Sequence, residues 1–216
     1  ADYIHWVDFR LSAPVLRSAL ELDMASQGGE QPLDWIDILA LAAAWRGGTG
    51  VTVADTQRAA QALRGDTPPE RLPGMAGRFF SYYRAAYGAA LGGLVGHFAI
   101  RRTDPQTDEA EWIPAYGLKA FSPIAAGYPW SHYPDFGAQR SYGYARPHLG
   151  NDILGALGTP ICAVEGGTVE ALGWNRYGGW RIGIRSDDRK RYYYYAHLRK
   201  DTPYAEGLAV GQRVQA

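Results

Sequence analysis

Hydrophobic periodicity changes once along this chain, and that change limits what it can fold into. Through residues 1–100 the apolar side chains recur mostly at helical spacing. From Gly158 onward they fall in short runs broken by glycine and aspartate. A pattern with a period near 3.6 does not pack as a strand, nor one with a period of two as a helix. The chain is therefore read as α+β: a helical domain over 1–100, a connection over 101–135, and a mostly antiparallel β domain over 136–216.

Caps and stops divide the helical part. Ser12 caps a first helix, with Pro14 in its first turn and Val15, Leu16, Ala19, Leu20 and Met24 on one side; Gly28-Gly29 ends it. Leu33 to Trp45 is a second helix, closed by Gly47-Gly48. Thr52 and Asp55 have the spacing of a capping box for a third, running to Leu63. After the loop signals Pro68-Pro69 and Pro73-Gly74, a long helix is expected from Met75 to about His97, with Phe79, Phe80, Tyr83 and Tyr87 as a core stripe. His97 would then sit at a helix end. Arg101 to Ala110 is polar, contains Asp104-Pro105, and reads as an exposed connection.

Beyond the connection, Phe121 to Pro147 is dense in Pro, Gly, Tyr and Ser and is read as a segment wrapping onto the β domain. Strands are expected over 160–164, 167–173, 180–185, 191–197 and from Val210, with Asp187 to Lys190 as a hairpin tip. The single cysteine, Cys162, excludes an intrachain disulfide and reads as a small core residue. Basic and acidic residues balance at 22 each, so no global field steers the chain to nucleic acid. The longest small-apolar run, Ala85 to Ile100, is too short and glycine-rich to span a bilayer. No secretory signal peptide is visible at Ala1.

Chemistry concentrates in three places. His148 and Asp152 stand four residues apart, with Gly150 between them to let the backbone bend. Gly158-Thr159-Pro160 follows, then a glycine hairpin at Gly166-Gly167. His197 stands in Tyr195-Ala196-His197-Leu198. Imidazole and carboxylate are standard ligands of catalytic zinc. Taken alone, however, His148 reads equally well as a ring packed beside Pro147, and Asp152 as a turn cap. His5 and His132 read as packing residues. Glu165 and Glu170 read as solvated, so no acidic pair suits a glycosidase. Trp174, Tyr177 and Trp180 are read either as a stacking surface for a glycan or peptide or as packing. Alternation would put Tyr193 and Tyr195 on the face of His197.

Together, the order of these motifs resembles the lysostaphin-type (LytM-like) zinc metalloendopeptidases over residues 136–216, beginning at Phe136-Gly137-Ala138-Gln139-Arg140. The resemblance implies that His148 and Asp152 bind zinc. It makes His197 the group that orients or deprotonates the attacking water, and Tyr142 a donor to the developing oxyanion, with Tyr144 a near competitor. Trp174, Tyr177 and Tyr195 become the expected substrate-binding residues. The implied activity is cleavage of stem or crosslink peptides in bacterial peptidoglycan, outside the cytoplasm. The family's third ligand lies in a His-x-His motif, which these 216 residues lack. The domain is accordingly expected to be truncated at Ala216, and in this form to bind zinc weakly and to be weak or inactive as a hydrolase. The competing reading is a non-catalytic LytM-like adaptor that binds a wall enzyme or partner protein. The helical domain is a candidate surface for such a partner; its Glu21 and Glu30 make no convincing catalytic pair.

Overall fold

The structure is a computed structural model that describes residues 10–104, 106–107, 109–135, 137–141, 145–148, 152–201 and 204–216. Of the residues singled out in the sequence, His5, Pro105, Phe136, Tyr142, Tyr144 and Gly150 lie outside that set. The protein is α+β and divides into two compact units, 1–119 and 120–216.

The first unit is built around one helix whose middle is enclosed on every side. α1 (Ala13–Ser26), α2 (Trp35–Arg46), α3 (Val53–Leu63) and α4 (Met75–Leu91) follow in order. Ile38 to Ala44 of α2 are all 0% exposed. A helix apolar on every side must be surrounded, and α1, α3 and α4 all pack on it. Val15, Ala19, Ala59, Ala60, Phe80 and Tyr87 supply the facing surface.

The helix ends follow from their sequence. The Asp34 side chain accepts the Ile36 N–H at the start of α2. Gly47, at φ 66°, ends it in the left-handed conformation. Gly48 follows at φ 86°, where an added Cβ would overlap the Tyr83 hydroxyl. Thr52 and Asp55 form a complete capping box on α3, and Asp55 also receives Arg46. Burial pushes the Asp55 carboxyl up, but bonds from Thr52 and Arg46 outweigh it and leave the group below its ordinary range.

α4 ends six residues before His97, and the segment expected as a connection is a β-hairpin instead. β1 (Val95–Thr103) pairs antiparallel with β2 (Ala110–Leu118). Gly92 and Gly93 release the chain from the helix, with Gly93 at φ 79°. His97 therefore lies in a strand opposite Tyr116, edge to face at 5.0 Å, rather than at a helix end. The Tyr116 hydroxyl donates to buried Asp23, which also accepts the Trp35 N–H. This ties the hairpin to α1 and α2.

Among the described residues, every strand pair of the second unit is antiparallel. β3 (Trp130–Tyr133) pairs with β6 (Asp152–Gly155), and β4 (Gln139–Ser141) pairs with β5 (Ala145–Pro147). A four-stranded sheet runs in the order β10 (Arg213–Val214), β7 (Gly167–Asn175), β8 (Gly179–Ser186), β9 (Tyr192–Leu198). Val169 and Ile184 are its most enclosed apolar residues.

Three local expectations change here. Residues 160–164 form no strand beyond one isolated bridge, Ile124 to Ile161, and Cys162 is exposed rather than core. Glu165 is not solvated: Arg191 donates to both its oxygens at 2.8 Å and the Tyr193 hydroxyl adds a third bond at 2.7 Å. In β9 an extra residue interrupts alternation. Trp180, Ile182 and Ile184 alternate along β8, and their partners are Leu198, Tyr195 and Tyr193. Leu198, not His197, therefore shares the face of Tyr193 and Tyr195.

Candidate metal centre

The β4–β5 hairpin continues past its last strand residues and fixes the backbone of His148. The His148 N–H donates to the Ala138 carbonyl at 2.8 Å, and the His148 carbonyl accepts the Gly137 N–H at 2.7 Å. Asp152 opens β6 opposite Tyr133 of β3. Two antiparallel strand pairs, β4–β5 and β3–β6, thus deliver the two residues to one place. The His148 Nε2 stands 3.6 Å from the Asp152 Oδ1.

A third side chain completes the cluster. Asp135 follows β3, is 7% exposed, and receives the Asp152 N–H on Oδ1 at 3.1 Å. Its Oδ2 lies 3.0 Å from the His148 Nδ1. Arg140, on β4, donates through Nη2 to the Asp152 Oδ2 at 2.8 Å and to the Asp135 Oδ2, and lies 3.3 Å from the His148 Nδ1. Burial alone would raise the Asp135 carboxyl. The Asp152 N–H, His148 and Arg140 outweigh that and hold it below the ordinary carboxylate range. Asp135, His148 and Asp152 are the group of potential metal donors found among the described residues.

The donor set suits zinc. Two donors about 2.0–2.1 Å from a tetrahedral zinc stand about 3.3 Å apart, close to the 3.6 Å observed between Nε2 and Oδ1. Nitrogen and oxygen donors are what this metal takes in catalytic sites.

The other sequence-selected residues are placed as follows. His197 is exposed, lies in the four-stranded sheet and belongs to no donor cluster among the described residues. Its φ is 55°, and its N–H donates to the Gly178 carbonyl at 2.7 Å. A left-handed histidine is uncommon and marks local strain held by the surrounding bonds. Trp174 and Tyr177 sit at the β7–β8 turn and are 64% and 57% exposed. Asn175 organises that turn by accepting the Tyr177 and Gly178 N–H groups. Tyr195 is half-buried, and its hydroxyl accepts the Val164 N–H at 2.8 Å. Burial pushes its phenol up, partly offset by that bond. Tyr142 lies outside the described residues. His132, on β3, pairs with Ile153 and is exposed.

Comparison with known proteins places part of this chain beside a peptidase family. Residues 146–216 match peptidase family M23. That M23 segment contains His148, Asp152 and His197. A stretch of 99 residues is 41% identical to the L-Ala--D-Glu endopeptidase of Bacillus subtilis (strain 168), covering 46% of this chain and 29% of that protein. A second stretch, of 70 residues, is 36% identical to the glycyl-glycine endopeptidase ALE-1 of Staphylococcus capitis, covering 32% of this chain and 18% of that protein. The chain thus spans under a third of either relative. A solved structure described as a candidate glycyl-glycine endopeptidase LytM from Ruminococcus gnavus ATCC 29149 aligns over 99% of this chain and 72% of its own, with 24% identity and a TM-score of 0.44. Sequence reasoning and the M23 match agree on the lysostaphin-type resemblance. Asp135 and Arg140, which contact both His148 and Asp152, carry no motif that points to such a role.

Proposed function

We propose that the second unit is a zinc-dependent endopeptidase that hydrolyses peptide bonds in bacterial peptidoglycan, in stem peptides or crosslinks. The observation that carries this reading is the approach of His148 Nε2 to Asp152 Oδ1 at 3.6 Å, inside the segment that matches family M23. The names of the two relatives, both endopeptidases, support the same class of reaction.

When bound, zinc polarises the scissile carbonyl and makes water a competent nucleophile near neutral pH. The roles of the chain's own residues follow. His148 and Asp152 hold the metal. The His197 imidazole accepts a proton from the attacking water and returns it to the departing amine as the C–N bond breaks. The Tyr142 hydroxyl donates to the developing oxyanion. Trp174 and Tyr177 offer exposed aromatic surface to substrate, and Tyr195, whose hydroxyl accepts the Val164 N–H, is the third residue assigned to substrate binding. An extracytoplasmic site of action follows from the substrate. The helical unit is free in this scheme to bind a partner protein. No helix among the described residues is long and apolar enough to cross a membrane.

The test is release of new amino termini from purified peptidoglycan, measured with zinc, with a chelator, and with His148→Ala. Zinc-dependent release that the chelator and His148→Ala both abolish supports the reading. Release that survives His148→Ala contradicts it.

A further inference from the structure

The two donor residues each have a second polar atom: His148 Nδ1 meets Asp135 and Arg140, and Asp152 Oδ2 meets Arg140. His148 turns Nε2 toward Asp152 Oδ1, while its Nδ1 lies 3.0 Å from Asp135 Oδ2. Asp152 turns Oδ1 toward the histidine, while its Oδ2 takes Arg140 at 2.8 Å. The Asp152 backbone is held as well, since its N–H donates to Asp135 Oδ1 at 3.1 Å. Asp135 thus touches the ring of one donor residue and the backbone of the other, and it is 7% exposed.

We infer that Asp135 is a positioning residue for the metal centre: it accepts the Nδ1 proton of His148 and so leaves the Nε2 lone pair free to bind zinc. The inference rests on the reading of His148 and Asp152 as ligands. A neutral imidazole has one protonated and one bare nitrogen, and its neighbours decide which. A bare Nδ1 lone pair 3.0 Å from a carboxylate oxygen would be repelled; a protonated Nδ1 is attracted. Arg140 also approaches Nδ1, at 3.3 Å. Its Nη2 already donates to two carboxylates, however, and charge-assisted bonds of that kind are the stronger claim on its hydrogens. Arg140 completes the device by balancing the charge of Asp135 and holding Asp152 by the oxygen that faces away from His148. Carboxylate–histidine–metal arrangements of this type fix ring orientation, and losing the outer carboxylate typically costs about 10–100-fold in metal affinity.

This assignment differs from one in which Asp135 is itself a ligand. Both of its oxygens are occupied, one by the Asp152 N–H and one by Arg140 and His148.

Two measurements on the whole chain test it: the His148 tautomer, from long-range nitrogen–proton correlations in the zinc-free protein at about pH 8, where histidine is ordinarily neutral, and a zinc titration followed by NMR. The wild type should carry its proton on Nδ1. Asp135→Ala should move most of it to Nε2 and weaken zinc binding about 10–100-fold. Asp135→Asn, which keeps an acceptor oxygen, should fall between the two. A wild-type proton on Nε2 overturns the inference, and so does an Asp135→Ala protein with unchanged tautomer and affinity. Zinc loss as complete as in His148→Ala with the tautomer retained overturns it too, because Asp135 would then be a ligand. Should Asp135→Ala misfold, the wild-type tautomer and Asp135→Asn still decide. If zinc does not bind the wild type while Nδ1 is protonated, the ligand reading fails and the Asp135–His148 contact stands.

Discussion

His148 and Asp152 face each other across 3.6 Å, nitrogen to oxygen, although one follows the β4–β5 pair and the other opens the β3–β6 pair. A helix would give that proximity to any residues four apart. Here it comes from the β4–β5 pairing extended through Ala138 and Gly137, and from the β3–β6 pairing that starts at Asp152. The His148–Asp152 geometry therefore depends on strand pairing, and damage to either pair should reach the cluster.

The turn between β8 and β9 gives a pH prediction. Asp188 accepts the Lys190 N–H, the Ser186 hydroxyl and Arg191. Burial pushes its carboxyl up, but those bonds outweigh it and bring it from 3.8 to about 2. A lowered folded-state value stabilises the fold above the unfolded value, and the benefit is lost as pH falls through the folded one. The window thus runs from about pH 3.8 down to about 2. Denaturant midpoints for the wild type should fall more steeply over that window than those of Asp188→Asn. Parallel curves would contradict the assignment.

Glu165 gives a spectroscopic one. Burial and the Glu165 carboxylate together push the Tyr193 phenol up to about 12, with burial the larger cause. Glu165→Gln should lower that value without restoring the ordinary one. It should also cost roughly 1–3 kcal/mol, because Arg191 loses its bidentate partner inside the unit. Tyrosine ring shifts followed against pH, together with a melting curve, check both. An unmoved Tyr193 would show that the 2.7 Å contact is not formed in solution.

Gly48→Ala probes the helical unit. The site has φ 86° and its missing Cβ faces the Tyr83 hydroxyl. Backbone strain and overlap add, so the variant should lose at least about 1–2 kcal/mol. A thermal midpoint equal to wild type would mean that Tyr83 is held differently.

Aromatic residues near the β7–β8 turn should separate by role. Trp174→Ala and Tyr177→Ala remove exposed rings, so stability should change by no more than about 0.5 kcal/mol while KM for a peptidoglycan peptide rises. Tyr195→Phe removes the acceptor for Val164 and should cost about 1 kcal/mol. Unchanged KM in both exposed-ring variants removes them from the substrate surface.

How much of this was legible in the sequence depended on how local the cause was. The capping box of Thr52 and Asp55, the stop at Gly47 and the strands β7 to β9 rest on short-range signals, and they stand where the sequence puts them. The β1–β2 hairpin was hidden because Ala85 to Gly96 is a run of small residues whose spacing suits helix and strand alike. The extra residue in β9 was hidden because four consecutive tyrosines carry no mark of a bulge. His148 and Asp152 were legible as a motif. Asp135 and Arg140 were not, since only closure of the two strand pairs brings them to the site. An aspartate between a proline and a phenylalanine looks, in one dimension, like any loop residue.

The most direct test of the central claim is a zinc titration of the isotopically labelled chain, read at every histidine. Zinc should shift the His148 ring first, with the largest change at Nε2 and a matching change at the Asp152 carboxylate. His97 and His132 should stay still, and His148→Ala should remove the binding event. Zinc that binds equally well to His148→Ala, or that perturbs His132 while leaving His148 untouched, would contradict the account.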